Sequence, residues 1–184
     1  MLQVLSAIIF YAAPLDAGPQ ARGNRDVQAF NNFQKRIAEY VKLRSSVRAG
    51  LSKLKPARSP GTIAAHEFDL AGRIRQARCT ARRGDIFTPE ISAGFRHLIE
   101  MVMRGQEATR VQQSLRAGAP VHLKALRINQ VYPAGVPLQS MPPTLLLTLP
   151  KLPKEMEYRV VGHALVLLDT EANLIVDFIP DAIP

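Results

Sequence analysis

The sequence has a single cysteine, Cys79, and its strongest apolar stretch, at residues 4–13, is short. One thiol excludes an intramolecular disulfide and any zinc site built from several cysteines. A membrane-spanning helix needs about 20 apolar residues, so the stretch at residues 4–13 cannot cross a bilayer. Any other interpretation of that stretch must suit its length.

Signatures of common enzymes are missing as well. The sequence has no Gly-x-Ser-x-Gly, no Gly-Lys-Ser/Thr and no glycine-rich loop after a strand. His66-Glu67 begins like the helix of a zinc protease, but Leu70 stands where the second histidine should be. We therefore expect a protein that is not an enzyme, with no catalytic residue, no metal site and no cofactor.

Two chemical alternatives remain open at this stage. The four histidines are far apart in sequence, although a metal site assembled through space from His66, Asp69 and a third residue is conceivable. Cys79 has several arginine neighbours, which favour the thiolate, yet no histidine is placed by sequence to act as its base. Packing of Cys79 as a small apolar residue in a helix is the simpler interpretation.

The N-terminus indicates export. Residues 1–17 (MLQVLSAIIFYAAPLDA) are apolar and are followed at residues 18–25 by a polar, turn-forming stretch that we expect to be a linker. The apolar length and the small residues near its end fit a secretory signal, although the usual basic start is missing. A start codon assigned too late would explain that gap. The alternative is an N-terminal strand or short helix docked on the core. We expect a periplasmic or secreted protein.

The chain is basic, with a formal net charge of +9, and the charge is unevenly distributed. Residues 22–116 contain 19 basic and 8 acidic side chains, whereas residues 117–184 contain 5 and 6. Within the basic part, the spacing of Arg75, Arg78 and Arg82 predicts one face of a helix, flanked by Arg73 and Arg83. We expect these five arginines to bind an anionic partner.

The identity of that partner is not determined by the sequence. For an exported protein, an anionic lipid surface, a cell-wall polymer or an acidic envelope protein fits best. A nucleic-acid-binding protein is one alternative. However, no aromatic residue lies between the arginines to stack on bases, and the sequence has no recognisable helix-turn-helix or zinc-finger motif. A periplasmic metal-handling protein is the other.

The region at residues 26–118 is predicted to be helical. A long amphipathic helix is expected from Asp26 to about Leu54, with Arg44 filling one place in its apolar row, a gap that allows a homodimer. A second helix, capped by Ser59 and ended by Gly84, would complete a helical hairpin. Thr88-Pro89-Glu90 is a strong start for a third helix, and residues 106–116 predict a fourth.

The region at residues 119–184 is predicted to be a small α/β part that shares the core with the helices. Residues 121–128 alternate in hydropathy and suggest a strand, and Pro143 begins a short helix. Two further strands, Glu157–Val161 and Ala164–Leu168, flank Gly162-His163, and Leu174–Ile179 follows. The predicted fold is α+β: a helical hairpin with one or two more helices, then a small antiparallel β-meander.

The last 50 or so residues resemble a known type of domain. The proline-rich lead-in YPAGVPLQSMPP, the segment ending in Leu-Pro and the strands EYRVV, ALVLLD and LIVDFI are similar to the small periplasmic domains of the RcnB-like type. The start GDIFTPE also resembles uncharacterised exported bacterial proteins that carry the same terminal strands. The resemblance implies export and a small α+β domain. It transfers no metal-binding residue from the nickel and cobalt homeostasis members.

Overall fold

The protein has an α+β fold, as predicted. A computed structural model describes residues 19–51, 60–117, 126–132 and 139–184, so the expected signal at residues 1–17 lies outside the described part. In chain order, the elements are α1 (Pro19–Ala49), α2 (Pro60–Ala77), α3 (Pro89–Arg104), α4 (Ala108–Ala117), β1 (Gln139–Ser140), α5 (Pro143–Thr148), β2 (Met156–Val161), β3 (Ala164–Asp169) and β4 (Leu174–Ile179).

The strands form one antiparallel sheet in the order β1-β2-β3-β4. Gly162 and His163 are the two residues of the β2–β3 turn, since Val161 pairs with Ala164 across it. Gly162 has φ +59°, which glycine adopts without a steric penalty at the first position of such a turn. The predicted meander is confirmed. The two-residue strand β1, which pairs with β2, was not predicted.

The sheet is buried on both faces. Residues such as Tyr158, Val160 and Leu167 belong to the core that the sheet shares with the helices. The opposite face includes Val166, and Leu126 and Ile128 pack against it. Every residue of β3 and β4 is therefore buried, which explains their nearly continuous apolar sequence.

The strand predicted at residues 121–128 is wrong where it can be checked. Residues 126–128 are not in a strand, and residues 121–125 lie outside the described part. Residues 129–131 contact β4 instead. The Asn129 N–H donates to the Ile175 carbonyl at 2.9 Å, and Val131 forms an isolated antiparallel β-bridge with Leu174. The apolar residues at 126 and 128 cover the sheet face rather than extending the sheet.

A cluster of aromatic rings, packed mainly edge to face, joins α1 and α3 to the sheet. Phe95 lies with its ring centroid 4.9 Å from that of Phe33, 5.1 Å from that of Phe87 and 5.9 Å from that of Tyr158. The start of α3 is as predicted, with Pro89 as its first residue and the Thr88 hydroxyl accepting from the Ile91 N–H at 3.4 Å. Helical and strand regions thus share one apolar core.

Three predicted helix boundaries are wrong. The first helix runs from Pro19 to Ala49 rather than from Asp26 to about Leu54, so residues 19–25 of the expected linker are helical. The second ends at Ala77 rather than Gly84. The Arg78 carbonyl accepts from the Asn129 side-chain N–H at 2.8 Å and from the Ala81 N–H at 3.0 Å. The Arg82 N–H, which would donate to it in a continuing helix, donates to Asp85 Oδ2 at 2.8 Å instead. Within the described residues, no helix is long and apolar enough to cross a membrane.

Candidate functional site

The structure contains a buried carboxylate at the end of β3, that of Asp169. Its Oδ2 accepts from the Tyr40 hydroxyl at 2.8 Å and from Arg44 Nε at 2.7 Å. Its Oδ1 accepts from the backbone N–H groups of Glu171 and Ala172 at 3.2 and 2.9 Å. Both oxygens are therefore occupied, and the charge is balanced by Arg44.

This network reaches the surface through Glu171. The Glu171 carboxylate accepts from Arg44 Nη2 at 2.5 Å, lies 3.3 Å from Arg48 Nε and lies 3.2 Å from His66 Nε2. It ties α1 and α2 to the β3–β4 turn. Arg44 occupies the predicted gap in the apolar row of α1. It is buried and pairs with Asp169 of the same chain, which accounts for a charged residue at this position without a second copy of the chain.

The network also shifts the acidity of its members. Burial acts to lower the pKa of Arg44, but Asp169 and Glu171 together raise it above its ordinary value. Burial acts to raise the pKa of Glu171, whereas Arg44 and then Arg48 hold it below its ordinary value. Burial, followed by the charge of Asp169, raises the pKa of the Tyr40 hydroxyl. The shifts favour the charged forms of Arg44 and Glu171 and the neutral hydroxyl of Tyr40.

A second buried carboxylate, that of Asp177, lies within β4, beside an irregularity in the β3–β4 register. Its Oδ2 accepts from the Ile86 and Phe87 N–H groups, both at 2.8 Å, and from the Gly84 N–H at 3.2 Å. Its Oδ1 accepts from its neighbour Phe178 N–H at 2.8 Å. Converging backbone N–H dipoles stabilise this anion and pin the loop between α2 and α3.

Neither aspartate leaves an oxygen open for chemistry. Both are fully buried; Asp169 connects α1 to the sheet through Arg44, and Asp177 connects the α2–α3 loop to the sheet through backbone N–H groups. We interpret them as groups that hold the fold together. The sequence analysis did not identify either aspartate. A signal was present, because Asp169 ends the apolar run VLLD and Asp177 interrupts the apolar run LIVDFI, and a carboxylate in a buried strand usually has a partner.

The predicted arginine face does not exist as one face, because α2 ends before most of it. Arg78 is buried and donates to Asn129 Oδ1 at 2.9 Å and to the Val176 carbonyl at 3.1 Å. Its guanidinium also lies 5.2 Å from the centroid of the Tyr40 ring, and burial lowers its pKa. The Arg78 guanidinium is thus bonded within the chain, and its predicted role in binding an external anion stays a prediction.

The other four predicted arginines are dispersed. The Arg83 guanidinium lies 5.8 Å from the Phe178 ring centroid, and Arg73 Nη1 approaches Gly50 just beyond the C-terminal end of α1, where a cation is favourable. Arg75 and Arg82 are exposed. Among the described residues they have no ion pair, a property shared by two exposed lysines of α1, Lys35 and Lys42.

The other groups singled out by sequence lie apart from each other. His66 bonds to Glu171 rather than to Asp69, and Cys79 is exposed in the turn after α2 rather than packed in a helix. Within the parts of the chain that the structure describes, no three histidine, cysteine, aspartate or glutamate side chains are close enough to hold a metal ion.

Comparison with known proteins adds no relative. No protein-family model matches the sequence, and no curated protein or solved structure is significantly similar to it. The resemblance to RcnB-like domains therefore stays a prediction, and the function has to be argued from this chain alone.

Proposed function

We propose that this chain is an exported, non-enzymatic binding module whose helical part attaches to an anionic component of the bacterial envelope. The observation that supports this most is a set of exposed cations without an acidic partner among the described residues. The set includes Lys35, Lys42, Arg75 and Arg82.

The distribution of acids explains why these cations remain available. The acids of the C-terminal part are used inside the chain: Asp169 and Glu171 bind Arg44, and Asp177 binds backbone N–H groups. The cations of α1, α2 and the following loop outnumber the acids near them in sequence. An exposed cation retains its hydration and its charge, so several of them attract a polyanion with strong dependence on salt.

Export is tested by intact mass and fractionation of the protein expressed from its natural locus. We expect a species shortened by the length of a signal peptide and found outside the cytoplasm. A full-length cytoplasmic species would contradict the envelope assignment. It would make nucleic acid the leading anionic partner, and salt-dependent binding to duplex DNA the next measurement.

Anion binding is tested with a matched pair of double variants that lose the same charge. Arg75→Gln/Arg82→Gln removes two unpaired cations, whereas Arg104→Gln/Arg110→Gln removes two exposed arginines that pair with Glu100 and Glu107. On phosphatidylglycerol vesicles we expect the first variant to bind about 30-fold more weakly, since each of the two cations near an anionic surface contributes about 1 kcal/mol. We expect the second variant to bind nearly as the natural chain does.

The result that would contradict the proposal is equal loss in the two variants, or equal binding to vesicles of neutral phosphatidylcholine. The first outcome would mean that only net charge matters, and the second that charge does not matter. A soluble polycarboxylate that competes with the vesicles would show that the cations recognise the anion rather than the bilayer.

A further inference from the structure

The two most exposed leucines of the described residues are neighbours on α5, the short helix before β2. Leu146 is 51% exposed and Leu147 is 88% exposed, whereas Leu145 of the same helix is fully buried. A single exposed leucine is common on protein surfaces and needs no explanation. Two adjacent leucines exposed to water on one short helix indicate a surface that a partner covers.

The chain around these leucines is held in place on the body of the protein. Leu149, just after the helix, is buried in the core. The Tyr158 hydroxyl of β2 donates to the Pro150 carbonyl at 2.9 Å, and the Gln34 side chain of α1 donates to the Lys151 carbonyl at 3.0 Å. The segment therefore presents its exposed leucines from a fixed position, and a partner that covers them does not have to order the backbone first.

Positive charge follows the leucines along the chain. Residues 141–154 (MPPTLLLTLPKLPK) contain two lysines and no acidic side chain. Lys151 and Lys154 are both exposed, and neither makes an ion pair with another described residue. A lysine can lay its apolar stem along an apolar surface while its ammonium group stays in water. Apolar side chains next to such cations are complementary to a bilayer with anionic headgroups.

The size and spacing of the exposed leucines favour a bilayer over a protein as the partner. A stable protein interface buries roughly 800 Å² on each partner, far more than two leucines expose. A groove that binds a helix contacts residues three, four and seven apart, whereas α5 has six residues and its exposed leucines are consecutive. A bilayer requires no matching shape, because its acyl region accepts any apolar side chain that reaches it.

We propose that the α5 segment is a membrane-contact site, at which Leu146 and Leu147 insert into the interface of an anionic bilayer and Lys151 and Lys154 bind the headgroups. This inference rests on the proposed attachment to an anionic envelope component. It names the lipid bilayer as that component and adds a contact site separate from the exposed cations of the helical part. Apolar burial drives the leucine contacts, so a part of the binding persists when salt screens the charges.

The first test is titration of the folded chain with phosphatidylglycerol vesicles, using two matched double variants. Leu146→Ser/Leu147→Ser should bind about tenfold more weakly or worse, both at low salt and at about 1 M salt, because apolar burial is not screened. Ile63→Ser/Phe68→Ser removes two apolar side chains of α2 that are 49% and 67% exposed, and it should bind as the natural chain does. Equal loss in the two variants would overturn the assignment of the site to α5.

The second test separates the lysines from the leucines. Lys151→Gln/Lys154→Gln should bind about 30-fold more weakly at low salt, and nearly as the natural chain does at about 1 M salt. Arg104→Gln/Arg110→Gln, which loses two paired cations, is the control and should show little change at either salt concentration. Equal losses in these two variants would overturn the role of the lysines.

The third test detects insertion directly. The chain has no tryptophan, so Leu147→Trp introduces a single fluorophore at the proposed site. When vesicles bind, its emission should shift to shorter wavelength, and lipids brominated in the acyl chain should quench it. Gln113→Trp, at an exposed position of α4, should keep its emission unchanged. Unchanged emission of Leu147→Trp in the vesicle-bound chain would overturn the insertion of the leucines.

These outcomes distinguish failure of this inference from failure of the proposed function. A chain that binds a soluble polycarboxylate but no vesicle overturns the membrane-contact site and leaves the proposed anion binding intact. Vesicle binding that requires the leucines but not Arg75 and Arg82 supports the site and contradicts the role of those arginines. A dimer in sedimentation equilibrium that Leu146→Ser/Leu147→Ser dissociates would identify a second copy of the chain as the partner, and would overturn the inference.

Discussion

The β3–β4 hairpin contains two buried carboxylates, Asp169 at the end of β3 and Asp177 within β4, and their charges are stabilised in different ways. Asp169 and Asp177 are both fully buried, yet Asp169 faces the side chains of Tyr40 and Arg44 whereas Asp177 faces backbone N–H groups of the α2–α3 loop. One anion is neutralised by a cation and the other by dipoles. The comparison shows that the helical part is joined to the sheet by polar contacts at two separate places.

The difference has a consequence for how each contact responds to mutation. A buried ion pair depends on its partner, because removal of one member leaves an uncompensated charge. A carboxylate held by several N–H groups depends on its own charge and shape, because no single donor is essential. The predictions below are ordered by the size of their expected effect on the free energy of unfolding.

Arg44→Met should have the largest effect, because it leaves Asp169 buried without its cation. We expect the free energy of unfolding to fall by about 3–5 kcal/mol, measured by urea denaturation. Arg48→Met is the control, since Arg48 is exposed and pairs with Glu171 rather than with Asp169 in the described part of the chain, and it should cost less than 1 kcal/mol. Equal losses in the free energy of unfolding would show that the buried Arg44–Asp169 pair contributes no more to stability than the exposed Arg48–Glu171 pair.

Asp177→Asn should cost about 2–3 kcal/mol, because the amide group of asparagine would turn donors toward the N–H groups of the loop. The amides of Ile86 and Phe87, which donate to Asp177, should lose protection in hydrogen exchange more than those of α1. Asp181→Asn, at an exposed position, is the control. Unchanged protection of the two amides would mean that the loop is held by other contacts.

Tyr40→Phe should cost about 1.5–2 kcal/mol, because the lost hydrogen bond has a charged acceptor. Tyr158→Phe is the matched case with a neutral acceptor, since its hydroxyl donates to the Pro150 carbonyl at 2.9 Å, and it should cost about 1 kcal/mol. A larger loss in the free energy of unfolding for Tyr158→Phe than for Tyr40→Phe would contradict the view that the charge of Asp169 strengthens the hydrogen bond from Tyr40.

The smallest expected effect is a pH dependence that comes from Glu171. The pKa of this carboxyl in the folded chain lies below its ordinary value of 4.5, with Arg44 as the main lowering influence. Its contribution to stability is therefore complete above about pH 4.5 and is lost as the pH falls through the folded pKa. The free energy of unfolding of Glu171→Gln should fall less steeply with decreasing pH in that range than that of the natural chain.

Much of the fold was predictable, because it depends on local signals. The turn at Gly162-His163 and the apolar run Leu174–Ile179 identify β-strands, and Thr88-Pro89 identifies the start of α3. These features depend on backbone geometry and hydropathy period, which short stretches of sequence encode.

The errors occurred where distant residues decide the outcome. The end of α2 depends on Asn129, far along the chain, which binds the Arg78 carbonyl. The burial of Arg44 depends on Asp169 and Glu171, which no helical period reveals. Continuing the helix through Arg78 and Arg82 was reasonable on spacing alone, and it placed on one face arginines that the structure disperses.

The most direct test of the comparison is a pair of double-mutant cycles. Arg44→Met combined with Asp169→Asn should show a coupling energy of roughly 2 kcal/mol or more, because the two side chains share one buried interaction. Arg44→Met combined with Asp177→Asn should be additive within about 0.5 kcal/mol, since these residues share no direct contact. Equal coupling energies in the two cycles would contradict the account of two separately neutralised carboxylates.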